Sequence, residues 1–161
     1  MSSGTSRRAQ ITMTEAEVEA FLDEQRTMSI ATIGRDGRPH VVAMWYAFLD
    51  GVPSFWTFAK SQKVVNLRRD PRVTCMVEAG DTYDQLRGVE LVARAEIIED
   101  AAEVQRFGVE EYERYQNTKV SEALMPSIRQ MANKRVVVKI HPERVVSWDH
   151  RKLGGTYSAD A

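Results

Sequence analysis

Phe55 to Val73 reads FWTFAKSQKVVNLRRDPRV, and the change of period inside it decides how the rest of the chain is arranged. Ser54 to Ala59 is aromatic and extended, and predicts a strand. Ser61 then stands where a helix N-cap would, and a short helix runs to about Arg69, stopped by Asp70-Pro71. Arg72 to Glu78 (RVTCMVE) resumes as strand. The strand delivers Thr57 and Lys60, Lys63 falls in the first helical turn, and Asn66 follows on its face. A helix N-terminus carries unpaired amides and partial positive charge, so this set suits an anion. Each charge-assisted hydrogen bond there would contribute about 1.5–3 kcal/mol. The same residues also describe an ordinary capped helix with solvated lysines.

Upstream, Met28 to Ile33 alternates, Gly34 to Pro39 is dense in turn formers, and His40 to Phe48 (HVVAMWYAF) is β-branched and aromatic. Asp50-Gly51 closes a hairpin onto the Ser54 strand. Such tight turns require antiparallel pairing, because parallel strands need long crossovers. Further upstream, Thr14-Glu15-Ala16-Glu17 fits a capping box ahead of a short amphipathic helix carrying Val18, Phe21 and Leu22.

Downstream of the opening stretch, a polar loop from Ala79 to Leu86 leads into a long strand, Gly88 to Ile98. Ala101 to Gln116 and Ser121 to Met131 read as helices, the second broken or restarted at Pro126. Arg135 to Ile140 and Arg144 to Trp148 read as two strands separated by His-Pro-Glu. The expected architecture is mainly β: a small barrel of six to seven largely antiparallel strands with peripheral helices. Residues 11–153 form its single domain, between a loose tail at 1–10 and a flexible tail at 154–161. The strand HVVAMWYAF is apolar on both faces, which calls for cover from the barrel interior and from a second copy of the chain. Alternation allows only one of Trp45 and Tyr46 to point inward, and Trp45 is the expected inward residue.

Composition excludes several function classes. The 161 residues are 43% hydrophobic and 28% charged, with a net charge of -1. That is globular usage, and it supplies no bulk field for nucleic acid or an anionic membrane. An OB-like reading with aromatics on single strands would need a basic groove, and the acidic stretch Glu110-Glu111-Tyr112-Glu113 opposes it. No apolar run approaches the roughly 18 residues of a spanning helix. The polar N-terminus and lone Cys75 lead to the expectation of a reducing, cytoplasmic setting, with Cys75 a buried hydrophobe. His40, His141 and His150 lack metal-ligand spacing, so no metal is expected. Hydrolase elbows and Walker-type loops are missing.

Three stretches, Thr57-x-x-x-Ser61-x-Lys63-x-x-Asn66-Leu67, Asp70-Pro71-Arg72-Val73 and Ser147-Trp148-Asp149-His150-Arg151-Lys152-Leu153, resemble the FMN-binding split-barrel superfamily that includes pyridoxamine-phosphate oxidase. The resemblance runs from about Met28 to Lys152 and extends to the actinobacterial deazaflavin-dependent reductases of the same fold. It implies a homodimeric split barrel whose cofactor phosphate binds Thr57, Lys60, Ser61 and Lys63, with Asn66 beside them. The ring system would lie along His40, Val41, Val42, Ala43 and Met44, and Trp148 would pack at the cofactor across the dimer interface. The chain departs from the flavin-enzyme pattern in three places. Trp56 stands for a tyrosine, Gln62 for an arginine, and the strand ending at Trp45 lacks the ring-side lysine. Loss of the bidentate arginine moves the expectation from FMN towards the deazaflavin coenzyme F-420, whose acidic tail would suit Lys60, Arg68 and Arg69.

The resulting expectation is an oxidoreductase that reduces a small organic substrate by hydride transfer from F-420. The alternatives are an FMN-dependent oxidase or reductase, and a carrier that binds flavin or deazaflavin without turnover. Ala101 to Met131 would shape the substrate pocket. No residue stands out as the proton donor, although His150 could approach a ring.

Overall fold

A computed structural model describes residues 6–154 of the chain. Residues 155–161 of the flexible tail expected at 154–161, and residues 1–5 of the expected N-terminal tail, lie outside the described residues. Arg7–Ile11 is a short helix, α1. It precedes α2 (Glu15–Glu24), where the capping box is complete: the Thr14 hydroxyl accepts from the Glu17 amide and the Glu17 carboxylate from the Thr14 amide. The remaining elements are β1 (Thr27–Ile33), β2 (Pro39–Trp45), β3 (Ala47–Leu49), β4 (Val52–Phe58), α3 (Gln62–Arg69), β5 (Arg72–Ala79), β6 (Arg87–Ile98), α4 (Ala101–Gln116), α5 (Met125–Ala132) and β7 (Arg135–Asp149). No helix among the described residues is long and apolar enough to cross a membrane.

All seven strands join one sheet in the order β2-β1-β5-β6-β7-β4-β3, and every pairing is antiparallel. The first and last strands of that order, β2 and β3, are separated along the chain by Tyr46 alone. Two sheet edges joined by one residue must meet in space, so the sheet curls into a half-barrel. The concave side holds the main core, including Met28, Ile30, Phe55, Cys75, Val77, Leu91 and Ile140, all essentially inaccessible to solvent. Each such side chain stabilises the fold by about 1.5–3 kcal/mol on transfer from water. Burial pushes the Cys75 thiol up to about 12, so it is a small hydrophobe with no nucleophilic role. A second cluster, with Val104 and Phe107 of α4 against Trp56 and Val137, covers the other face of β4 and β7.

Three local expectations are corrected. HVVAMWYAF is two strands, because Tyr46 turns its amide out of the ladder and donates it to the Tyr115 hydroxyl at 3.0 Å. Its own hydroxyl, fully buried, donates to the Leu22 carbonyl at 2.5 Å. Trp45, expected inside, is 55% exposed and lies flat on Tyr115, with ring centroids 4.2 Å apart. Alternation holds here, but with Tyr46 as the core member. The two C-terminal strands are in fact one, β7, because a bulge absorbs Pro142. Val92 pairs with Arg144 and Ala93 with Pro142, so Glu143 is the extra residue.

The Asp50-Gly51 hairpin is as expected, with both residues in the left-handed region (φ 54° and 76°), the geometry whose twist matches the flanking strands. Pro126 restarts rather than breaks its helix, sitting in the first turn of α5, where a missing amide costs little.

Candidate functional site

The junction of β4 and α3 is built as the sequence suggests, with one change in its bonding. Ser61 occupies the N-cap position of α3, yet its side chain does not cap the helix. Instead the Thr57 hydroxyl donates to Ser61 Oγ at 3.4 Å, and the Lys63 ammonium donates to Thr57 Oγ1 at 3.0 Å. Among the described residues no side chain caps the first-turn amides of α3, and they add to a cluster of one ammonium and two hydroxyls. Burial pushes the Lys63 amine below its ordinary range. Among the described residues no carboxylate pairs with it. A half-buried ammonium beside uncapped amides has the chemistry of a phosphate receptor.

Asn66 is fully buried and acts as a tie. Its amide nitrogen donates to Thr32 Oγ1 at 3.0 Å, and its oxygen accepts from Gln62 at 2.9 Å. Thr32 in turn pairs with His40 across the β1–β2 ladder, so one buried bond couples α3 to the start of β2. His40 Nδ1 is buried there with no hydrogen-bond partner, an unused polar atom near the expected cofactor run. Along β2, His40, Val42 and Met44 face inward, while Val41, Ala43 and Trp45 face out, so a ring lying along this strand would meet alternate side chains and the backbone between them. Lys60 is exposed. Arg68 is engaged by Glu99 and by the Ala59 carbonyl, and Arg69 by the Ile33 carbonyl.

Trp148 is not near this cradle within one chain. Thr57 pairs with Val136 of β7, and Trp148 lies twelve residues further along that strand, about 40 Å of extended contour. Its indole lies over Gly88, where an added Cβ would come within 2.1 Å of the ring. His150 is held at the same end, its Nδ1 2.9 Å from the Tyr83 carbonyl.

Beside Thr57 opens a cleft of about 290 Å³, walled by Ala43, Met44 and Trp45 of β2 and by Trp56 and Phe58 of β4. It continues as a smaller lobe of about 140 Å³ under α4 and α5. Glu111 lines both. Burial pushes its carboxyl up to about 7, against smaller opposing effects of the polar Trp56 indole N–H and of Arg135. The Arg135 guanidinium lies 4.7 Å from the ring centroids of both Trp56 and Phe58. Gly108 lets α4 pack closely on the same indole, since a Cβ there would meet the Trp56 ring at 2.8 Å. Glu111 escapes the sequence reading because it sits in an acidic run. A signal was present: Val104, Phe107, Gly108 and Glu111 follow the i, i+3, i+4, i+7 spacing of a buried helix face.

The site and fold have relatives. The family model described as pyridoxamine 5'-phosphate oxidase matches residues 14–149. No curated protein matches the chain. Among solved structures, the conserved hypothetical protein Rv2991 from Mycobacterium tuberculosis is 50% identical, with a TM-score of 0.89 over 98% of both chains. A structure named F420 reductase is 26% identical, with a TM-score of 0.59 over 79% of this chain and 94% of that one. HutZ, a heme storage protein from Vibrio cholerae, shares the fold at 18% identity, with a TM-score of 0.65 over 83% of this chain and 94% of that one. With its curled antiparallel sheet and a family match spanning most of its length, the chain belongs to the pyridoxamine 5'-phosphate oxidase family.

Proposed function

We propose that the protein is an oxidoreductase that binds the deazaflavin coenzyme F-420 and reduces a small organic acceptor. The observation that carries this reading is Lys63: a half-buried ammonium, 3.0 Å from Thr57 Oγ1, at the uncapped start of α3 and with no carboxylate beside it among the described residues. Thr57, Ser61 and Lys63 would hold the cofactor phosphate, whose anionic oxygens suit one ammonium, two hydroxyls and backbone amides. Gln62 in the position of an arginine favours the deazaflavin over FMN, and the likeness to a structure named F420 reductase supports the same choice. When bound, the deazaflavin supplies a hydride. The chain's residues would orient it: His40 to Met44 offer a strand edge, and Trp45 and Trp56 form an aromatic wall at its end.

A second copy of the chain belongs to this reading. Val41, Trp45 and Phe58 are exposed by 59, 55 and 54%, an apolar surface that a partner would cover. Trp148, remote from the cradle of its own chain, could reach a cofactor only from that partner. The test is titration of the purified protein with F-420 and, separately, with FMN, followed in the visible spectrum. Binding of F-420 in preference to FMN is the expected result. Preference for FMN moves the protein to the flavin side of the family, and binding of neither overturns the reading. Reduced complex that no quinone, enone or tetrapyrrole acceptor oxidises would make it a carrier.

A further inference from the structure

We infer that Glu111 is the acid of the cleft, the group that hands a proton to an acceptor bound between Trp45 and Trp56. The inference rests on the oxidoreductase reading above and goes beyond it by naming a catalytic residue and a substrate class.

The geometry carries the argument. Among the described residues, Glu111 is the one carboxyl lining both lobes of the cleft, whose larger lobe also includes Thr57 of the phosphate cradle. The walls are Trp45, presented flat by its stack on Tyr115, and Trp56, fixed edge-on against Phe107. Flat aromatic walls favour a flat conjugated acceptor. The groups facing Glu111 are the Trp56 indole from β4, Arg135 from β7 and Tyr115 one turn on along α4. From α5 come only Ile128 and Met131, and from β2 Trp45. One cation and a hydrogen-bond donor do not offset the burial, so the carboxyl keeps its proton into the neutral range.

An α,β-unsaturated carbonyl fits these requirements. When bound, the deazaflavin would supply a hydride to the β carbon, and the C=C π bond would be lost as the α carbon takes the proton of the Glu111 carboxylic acid. The acceptor would gain two electrons and the bound cofactor would give up two. Glu111 is left as carboxylate and regains its proton from water.

The test begins with the full chain free of cofactor. In a W45F/W148F background Trp56 is the lone indole, and its fluorescence reports the ionisation of the carboxyl that shares the cleft with it. A midpoint near pH 7 that disappears in E111Q is expected, and R135Q should move it upward by removing the cation that opposes it. A midpoint below pH 5, or one that persists in E111Q, overturns the inference. With F-420 loaded, the wild-type rate of enone reduction should fall about tenfold per pH unit above that midpoint. E111Q should lose about 100-fold or more at pH 6, lose the pH dependence, and keep its affinity for F-420. An E111Q enzyme that keeps its rate, or whose loss tracks weaker F-420 binding, also overturns it. Failure of the wild-type chain to bind either cofactor would instead defeat the oxidoreductase reading, and the cofactor-free titration distinguishes that case.

Discussion

The Asn66 amide reaches Thr32 Oγ1 at 3.0 Å, and both residues are fully buried. That bond joins the helix carrying Lys63 to the strand that pairs with β2. Asn66→Ala leaves the buried Thr32 oxygen without its donor, with only the 3.5 Å bond to the His40 carbonyl, while the exposed Gln62 amide turns to water. It should cost about 1–3 kcal/mol, the penalty for an unsatisfied buried polar group. Chemical denaturation of the cofactor-free protein measures it, and any loss of cofactor affinity should follow from the displaced helix.

Lys63→Met should separate binding from stability. The ammonium has lost solvent without gaining a carboxylate, so its removal should leave the cofactor-free melting temperature unchanged or higher. Affinity for the phosphorylated cofactor should fall about 10- to 150-fold, the equivalent of one charge-assisted bond. Thermal melts and equilibrium titration on the same samples read both effects.

The pH dependence of stability has a definite sign at Glu111. Its carboxyl ionises near 7 in the fold and near 4.5 when unfolded, so the folded state binds the extra proton. The stabilisation is complete below about pH 4.5, declines as pH rises, and is gone once pH passes about 7. The amount at stake is about 1–3 kcal/mol, given partial exposure of the group. E111Q should flatten this part of the curve, as urea denaturation between pH 5 and 8 would show.

Val41→Glu tests the second copy. It places a charge in the middle of the exposed row on β2, facing away from the core. Light scattering should find the wild-type chain as a dimer and the variant as a folded monomer. A variant that remains dimeric would move the interface elsewhere.

At the far end of the sheet, Gly88→Ala should displace Trp148, because the new methyl falls inside van der Waals contact with the indole. Overpacking of this kind costs about 1–3 kcal/mol. A shift in tryptophan emission should accompany the lower melting point.

The contrast between these sites explains what could be read in advance. Thr57, Ser61 and Lys63 lie within seven residues of one another, so a strand-to-helix transition is enough to bring them together. Antiparallel order was legible for the same reason, since short turns such as Asp50-Gly51 allow little else. The inward choice between Trp45 and Tyr46 was not, because alternation gives two faces without saying which is the core. Tertiary partners decide it: the Leu22 carbonyl for the Tyr46 hydroxyl and the Tyr115 ring for Trp45. Glu111 and Arg135 reach the cleft from elements far along the chain, and only the spacing of the α4 face hinted at the first. His-Pro-Glu looked like a strand break because proline cannot donate to a ladder, yet a bulge accommodates it.

Tyr46 also limits where this scaffold can change. The two rims of the sheet are stitched together by that single residue, so an insertion there would prise the seam open and pull Trp45 off Tyr115. Novelty in acceptor choice must enter elsewhere. The excursion from Asn117 to Leu124, between α4 and α5, can lengthen or shorten while Val104, Phe107 and Tyr115 keep their places on the sheet. A lineage that keeps the seam and edits that excursion can exchange substrates while its cofactor grip stays as it was.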